Sequence, residues 1–117
     1  MIGRIKRRRE FAELSRGRRA TTETLWCRYV DDPQQVPPRV AFAIGRVVGT
    51  AVRRNRLRRR LRAILHSCAG PSGPLHHGAL LVGAVPGAAE RSFEQLRGEV
   101  VRLLDDLALP RPHGGRR

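Results

Sequence analysis

Between Arg53 and Arg62, seven of ten residues are arginine. No acid sits three or four positions away inside the run to relieve the repulsion. Guanidinium groups fork onto phosphate oxygens bidentately. A merely solvated helix face normally mixes in glutamates, as the C-terminal stretch does with Glu94, Glu99, Asp105 and Asp106. The chemistry available to this run is therefore phosphate recognition. Asn55 interrupts the charge. Asparagine is a poor helix-interior residue, and its amide can accept a hydrogen bond, which arginine cannot. A base edge, a phosphate oxygen or a metal-bound water would suit it. The candidate contacts are Arg53, Arg54, Asn55, Arg56, Arg58, Arg59, Arg60 and Arg62.

Other chemistry is thin. Asp31 and Asp32 lie in a proline-rich loop without a third carboxylate, which argues against a protein-borne two-metal phosphodiesterase centre. Cys27 and Cys68 form no CxxC, and with His66, His76, His77 and His113 they make no zinc spacing. His76 and His77, close to Pro74, read as a polar turn ahead of a weak metal pair. Cys68 reads as a core thiol rather than a nucleophile.

The arginines need an element to hold them. Leu57, Leu61, Ile64, Leu65 and Cys68 recur among and after them at helical intervals, the stripe of a core-facing helix rather than a disordered tail or a bare localisation signal. Thr50 can cap it, after a turn from Gly45 to Gly49. On the helical wheel Asn55, Arg59, Arg62 and His66 share one polar flank, and Arg53, Arg56 and Arg60 cover the other. Arg54 leans to the core side, where it can overhang the sheet edge. The band is roughly 15 Å long, or about two to three phosphates.

Around that helix, residues 4–16 read as a short helix with Ile5, Phe11 and Leu14 on one side, broken by Gly17. LWCRYV, residues 25–30, has strand composition. DDPQQVPP is a loop. RVAFAIG, residues 39–45, alternates bulky Val40, Phe42 and Ile44 with Ala41 and Ala43, leaving a small face open to close packing. ALLVGAV, residues 79–85, suits a strand covered on both faces. Ser92 and Gln95 match a capping box. Phe93, Leu96, Val100, Leu103, Leu104 and Leu107 mark a helix closed by Pro110. The order predicts an α/β (α+β) two-layer sandwich, with three to four strands and helices packed on them. The arginine helix is then a crossover, for which general rules favour a right-handed path and a parallel strand pair.

Composition agrees. The 117 residues carry a formal charge of +14, and all 24 basic residues but Lys6 are arginine. Such self-repulsion favours a polyanionic partner, nucleic acid ahead of anionic membrane. The shortage of lysine alongside much alanine, glycine and proline also fits coding bias. Hydrophobic content of 40% is too high for a disordered basic protein. No membrane span or secretory core is visible, so a soluble, cytoplasmic protein is expected. One domain over 1–110 and a basic, frayed tail over 111–117 are the natural division. Phe11 and Trp26, taken alone, read as core aromatics ahead of stacking platforms.

RVAFAIGRVVGTAVRRNRLRRRLR, residues 39–62, resembles the signature of the bacterial ribonuclease P protein subunit. Gly49, Ala51, Val52, Arg54, Asn55, Arg56, Arg58, Arg59 and Arg62 fall on its positions. RIKRRREF resembles the family's basic opening with its aromatic at Phe11, and ALLVGAVPGA its third strand. The resemblance spans nearly the whole chain, and its Arg-Asn-Arg step is quite specific. It implies an α/β domain with a left-handed βαβ crossover, against the base rate. It also implies a role in endonucleolytic removal of the 5′ leader from precursor tRNA, with the arginine helix and Arg46 on the catalytic RNA subunit. The catalytic centre and its Mg²⁺ would then belong mainly to the RNA. A cleft involving Phe11, Arg8, Phe42 and Trp26 would receive the leader, which makes Phe11 a cleft residue. Where the family often has two adjacent basic residues in the turn, this chain has Arg46 and Val47. A second aromatic in the opening helix is absent, Leu14 or Ser15 standing there.

No further protein partner is required by this reading. The rival is a non-enzymatic basic RNA-binding protein, such as a ribosomal protein or RNA chaperone, and a protein-only nuclease is third.

Overall fold

Five strands form one sheet in the computed structural model of the chain, which describes residues 2–4, 14, 16–70 and 73–109. They are β1 (Gly3–Arg4), β2 (Arg18–Thr21), β3 (Leu25–Val30), β4 (Arg39–Ala43) and β5 (Ala79–Ala84), in the spatial order β1-β4-β5-β3-β2. The β4 and β5 strands are parallel neighbours. Helix α1 (Ala51–Cys68) is the crossover between them, and α2 (Phe93–Leu107) follows β5. Among the described residues no helix is long and apolar enough to cross a membrane.

The sheet is wider than the three to four strands expected, for two physical reasons. Arg4, assigned to the opening helix, instead extends β1, where Gly3 donates to the Pro38 carbonyl at 2.7 Å and the pair runs parallel to β4. Strand β2 escapes notice because RRAT turns only Ala20 into the core, and a polar edge strand has little alternation to read. Arg8 and Phe11, with most of the expected opening helix, lie outside the described residues. Leu14 is helical and fully buried. Gly17 ends that segment, donating to the Leu14 carbonyl at 3.0 Å. Any Cβ there would run into the Tyr29 carbonyl.

Register separates the two faces. Phe42, Val82 and Cys27 stand in one cross-strand row, and Ala43, Gly83 and Trp26 in the next. The first row faces the helices, because Val82 and Cys27 belong to the buried core with Leu57, Leu61, Ile64 and Leu65 of α1 and Leu96, Val100, Leu103, Leu104 and Leu107 of α2. Each such side chain contributes about 1.5–3 kcal/mol by leaving water. Neighbouring rows point to opposite sides, so Trp26, Arg28, Leu81, Ala41 and Ala43 occupy the face away from the helices. The bulky and small sides of RVAFA are thus the side of α1 and α2 and the side away from those two helices. Phe93 leaves the expected stripe, being 37% exposed at the first position of α2.

Both helix starts match their capping patterns. Thr50 accepts from the Arg53 amide, and Ser92 with Gln95 completes the capping box. The end of α2 is tied down by Arg18, which donates to the carbonyls of Leu107 and Ala108 at 3.1 and 3.0 Å. A buried carboxylate clamps α2 to the β2–β3 turn. Glu99, 1% exposed, accepts from the Thr22 hydroxyl, the Thr24 amide at 2.9 Å and the Thr24 hydroxyl at 2.8 Å, and pairs with Arg91 at 3.2 Å. Burial by itself would raise this carboxyl, but the hydrogen bonds and the Arg91 charge outweigh it and hold it below its ordinary value.

Candidate nucleic-acid interface

Helix α1 presents its arginines under an electrostatic handicap. Its first turn holds no acid, whereas Arg53 and Arg54 stand there, at the end where the helix dipole favours anions. Leucines beneath fix the helix: Leu61 and Leu65 are fully buried, Leu57 and Ile64 nearly so. Around this axis the side chains divide into three sets.

On the β4 side, Arg54 donates through Nε to the Gly49 carbonyl at 3.2 Å. Arg58 donates to the Asn55 side-chain oxygen at 2.9 Å and, more loosely, to the Ile44 carbonyl at 3.5 Å. Arg62 lies over the Phe42 ring, 5.2 Å from its centroid. On the opposite flank, Arg53 pairs with Glu90 at 3.1 Å, and Arg60 donates to the Arg91 carbonyl at 3.1 Å. Along the crest, Arg56 and Arg59 are exposed, and among the described residues no hydrogen bond or ion pair engages their side chains. Arg46 is likewise exposed, in a 3₁₀ turn over Arg46–Val48. Beside it Val47 is 77% exposed.

The arrangement answers what Asn55 does within the chain: its amide oxygen steadies Arg58 at an exposed position of the helix. The acid that offsets Arg53 comes from Glu90, thirty-seven residues on, which no local spacing could disclose.

The structure does not bring Phe42 and Trp26 together. Phe42 belongs to the helix side, partly buried against the core under Arg62. Trp26 lies on the other face, its indole covering Gly83 so closely that a Cβ there would overlap the ring. The same face carries Arg28, opposed directly across the ladder by Arg19. Neither is among the residues singled out from the sequence: Arg28 could have been found from its alternation with Cys27 and Tyr29 in LWCRYV, whereas Arg19 sits in the polar edge strand β2 and gives no such signal.

The remaining reactive groups are committed to structure. Burial pushes the Cys27 thiol up to about 12 and also raises Cys68, so neither is a ready nucleophile. Tyr29, likewise pushed up to about 12 mainly by burial, donates to the His77 carbonyl at 2.7 Å. His77 is buried and bonded to Asp31 at 2.8 Å, a structural pair rather than a loose turn. Glu23 is held down to about 2, chiefly by hydrogen bonds from Arg102. Among the described residues no three His, Cys, Asp or Glu side chains gather as metal ligands.

Comparison with known proteins gives the family and the fold. A family model described as Ribonuclease P matches residues 3–108. A "Ribonuclease P protein component" of Thermobifida fusca is 35% identical, the match covering 97% of this chain and 82% of that one. Its counterpart in Acidothermus cellulolyticus is 39% identical over 89% and 87% of the two chains. Among solved structures, an RNase P protein of Staphylococcus aureus superposes with a TM-score of 0.76 at 19% identity, covering 91% of this chain and 95% of its own. The RNase P protein of Thermotoga maritima gives 0.73 at 23% identity over 88% and 96%. The structural likenesses establish a shared fold.

Proposed function

The chain belongs to the ribonuclease P protein family, and we propose from that premise how its two charged faces divide the work of the ribonucleoprotein. The family's particle removes the 5′ leader from precursor tRNA, and the partner of this chain is the ribonuclease P RNA. In our reading the exposed side of α1, with Arg46, docks on that RNA. The face away from the helices, with Trp26, Arg28 and Arg19 over the small Ala41, Ala43 and Gly83, receives the single-stranded leader of precursor tRNA. Phe11 and Arg8 belong to the same cleft by family resemblance. Phe42 belongs instead to the docking side. The observation that carries the reading is the arginine band of α1, charged at its dipole-positive end and underpinned by buried leucines.

The contribution is electrostatic and positional. Arginines offset phosphate repulsion between two RNAs and hold the leader, which lowers the entropy of assembling the scissile bond. Cleavage chemistry is assigned to the RNA with Mg²⁺. Of the described acids, Glu99, Glu23, Glu90 and Asp31 are each engaged by a cation, a hydroxyl or an imidazole, which gives them structural work. The place of work is the cytoplasm, where RNA precursors meet the particle.

Purified protein is incubated with precursor tRNA, alone and with the ribonuclease P RNA, at low Mg²⁺. Cleavage that needs the RNA and is stimulated by the protein is expected. Cleavage by protein alone would indicate a nuclease, and binding without stimulation a structural RNA-binding protein. Arg54→Ala with Arg56→Ala should weaken RNA-subunit affinity and processing together. Unchanged values for both would refute the role given to α1.

A further inference from the structure

Building on the docking role of α1 just proposed, we infer that two of its three arginine sets, the β4-side row and the crest, have different tasks, and that Phe42 is a positioning residue for the first. Arg54, Arg58 and Arg62 recur every four residues, about 6 Å apart along the axis. Each is held in place before any RNA arrives: Arg54 by the Gly49 carbonyl, Arg58 by Asn55 and the Ile44 carbonyl, Arg62 by the Phe42 ring. Arg56 and Arg59 on the crest have no such support among the described residues. A guanidinium already confined gives up little side-chain freedom on meeting a phosphate, and it can meet one only at a fixed place. The held row therefore sets the register of the protein on a folded RNA. The crest supplies attraction that any polyanion satisfies.

Phe42 is the diagnostic member. Its ring is packed on the core from one side and covered by Arg62 from the other, within cation–π range. A purely structural role would have Arg62 merely shielding an edge aromatic with its aliphatic stem. In that case the ring matters for stability and not for RNA.

Binding of the full chain to ribonuclease P RNA and to poly(U) is measured for wild type, Phe42→Leu, Arg62→Ala and the double variant, with melting temperatures recorded alongside. Phe42→Leu should weaken binding to ribonuclease P RNA about two- to fivefold and leave poly(U) binding unchanged. The double variant should bind no worse than Arg62→Ala alone. Phe42→Leu binding like wild type, or losses that add in full, overturns the positioning role. Should Phe42→Leu melt within the assay range, Phe42→Met serves instead, since it fills a similar volume and still removes the ring. It too should lose affinity for ribonuclease P RNA and not for poly(U), and equality with wild type again refutes the idea. Failure of the docking reading itself looks different: alanine at Arg54, Arg58 and Arg62 together would then leave ribonuclease P RNA binding untouched.

Discussion

Glu99→Ala removes a buried carboxylate and should be among the most damaging single changes in the molecule. The side chain is 1% exposed and receives the Thr22 hydroxyl, both donors of Thr24 and the Arg91 guanidinium. Deleting it strands the buried amide and hydroxyl of Thr24 and removes the charge partner of Arg91, while Thr22 keeps the Leu25 carbonyl as an acceptor. Breaking a buried charged network from one side costs about 3–5 kcal/mol, against a total of about 5–15 kcal/mol for a domain. For a chain this size the melting temperature should fall by roughly 10–20 °C. Glu99→Gln keeps the shape but turns an NH₂ group towards donors, so its loss should be smaller though still measurable. The pH dependence carries a definite sign. Because the folded carboxyl titrates below its ordinary value, its charge stabilises the fold above the unfolded carboxylate range and stops doing so as pH falls through the folded value. The gap between wild type and Glu99→Gln should therefore be full at neutral pH and narrow below about pH 4. Urea unfolding followed by far-ultraviolet circular dichroism across pH 3–8 measures it. A loss under about 1 kcal/mol for Glu99→Ala at pH 7, or a gap that widens in acid, would refute the clamp.

Three further outcomes test other parts of the molecule. Val47→Lys, at a 77% exposed position beside Arg46, should tighten ribonuclease P RNA binding and steepen its log–log salt dependence by about 0.7–0.9, one added phosphate contact; a salt titration of binding checks it. Trp26 is the chain's single tryptophan, so its fluorescence should quench when a short single-stranded leader oligonucleotide binds, and an unchanged spectrum at saturation counts against the cleft on that face. Gly83→Ala pushes a methyl into the Trp26 indole, and should shift the tryptophan emission and cost about 1–3 kcal/mol in urea unfolding.

Elements with strong local periodicity were legible from residue order. The stripe of Leu57, Leu61, Ile64 and Leu65 announced α1, LWCRYV announced β3 to its end residues, and Thr50 and Ser92 announced both helix starts. The arginines were equally plain, because a helix that keeps leucines on one side must carry the intervening residues on the other. Their division was not. Whether Arg53 meets Glu90, Arg60 the Arg91 carbonyl or Arg62 the Phe42 ring depends on which segments the sheet brings beside α1. The two hydrogen-bonded pairings among them span thirty-one and thirty-seven residues. The two edge strands stayed hidden for a related reason: Gly3–Arg4 and Arg18–Thr21 bury almost nothing, and only a neighbouring strand's backbone makes them strands. Strand alternation told that Phe42 and Ala43 face opposite ways. Which way is the helix side was settled by the register that sets Phe42 beside Val82 and Cys27, since covering by α1 and α2 is a property of the assembled sheet and of no single segment.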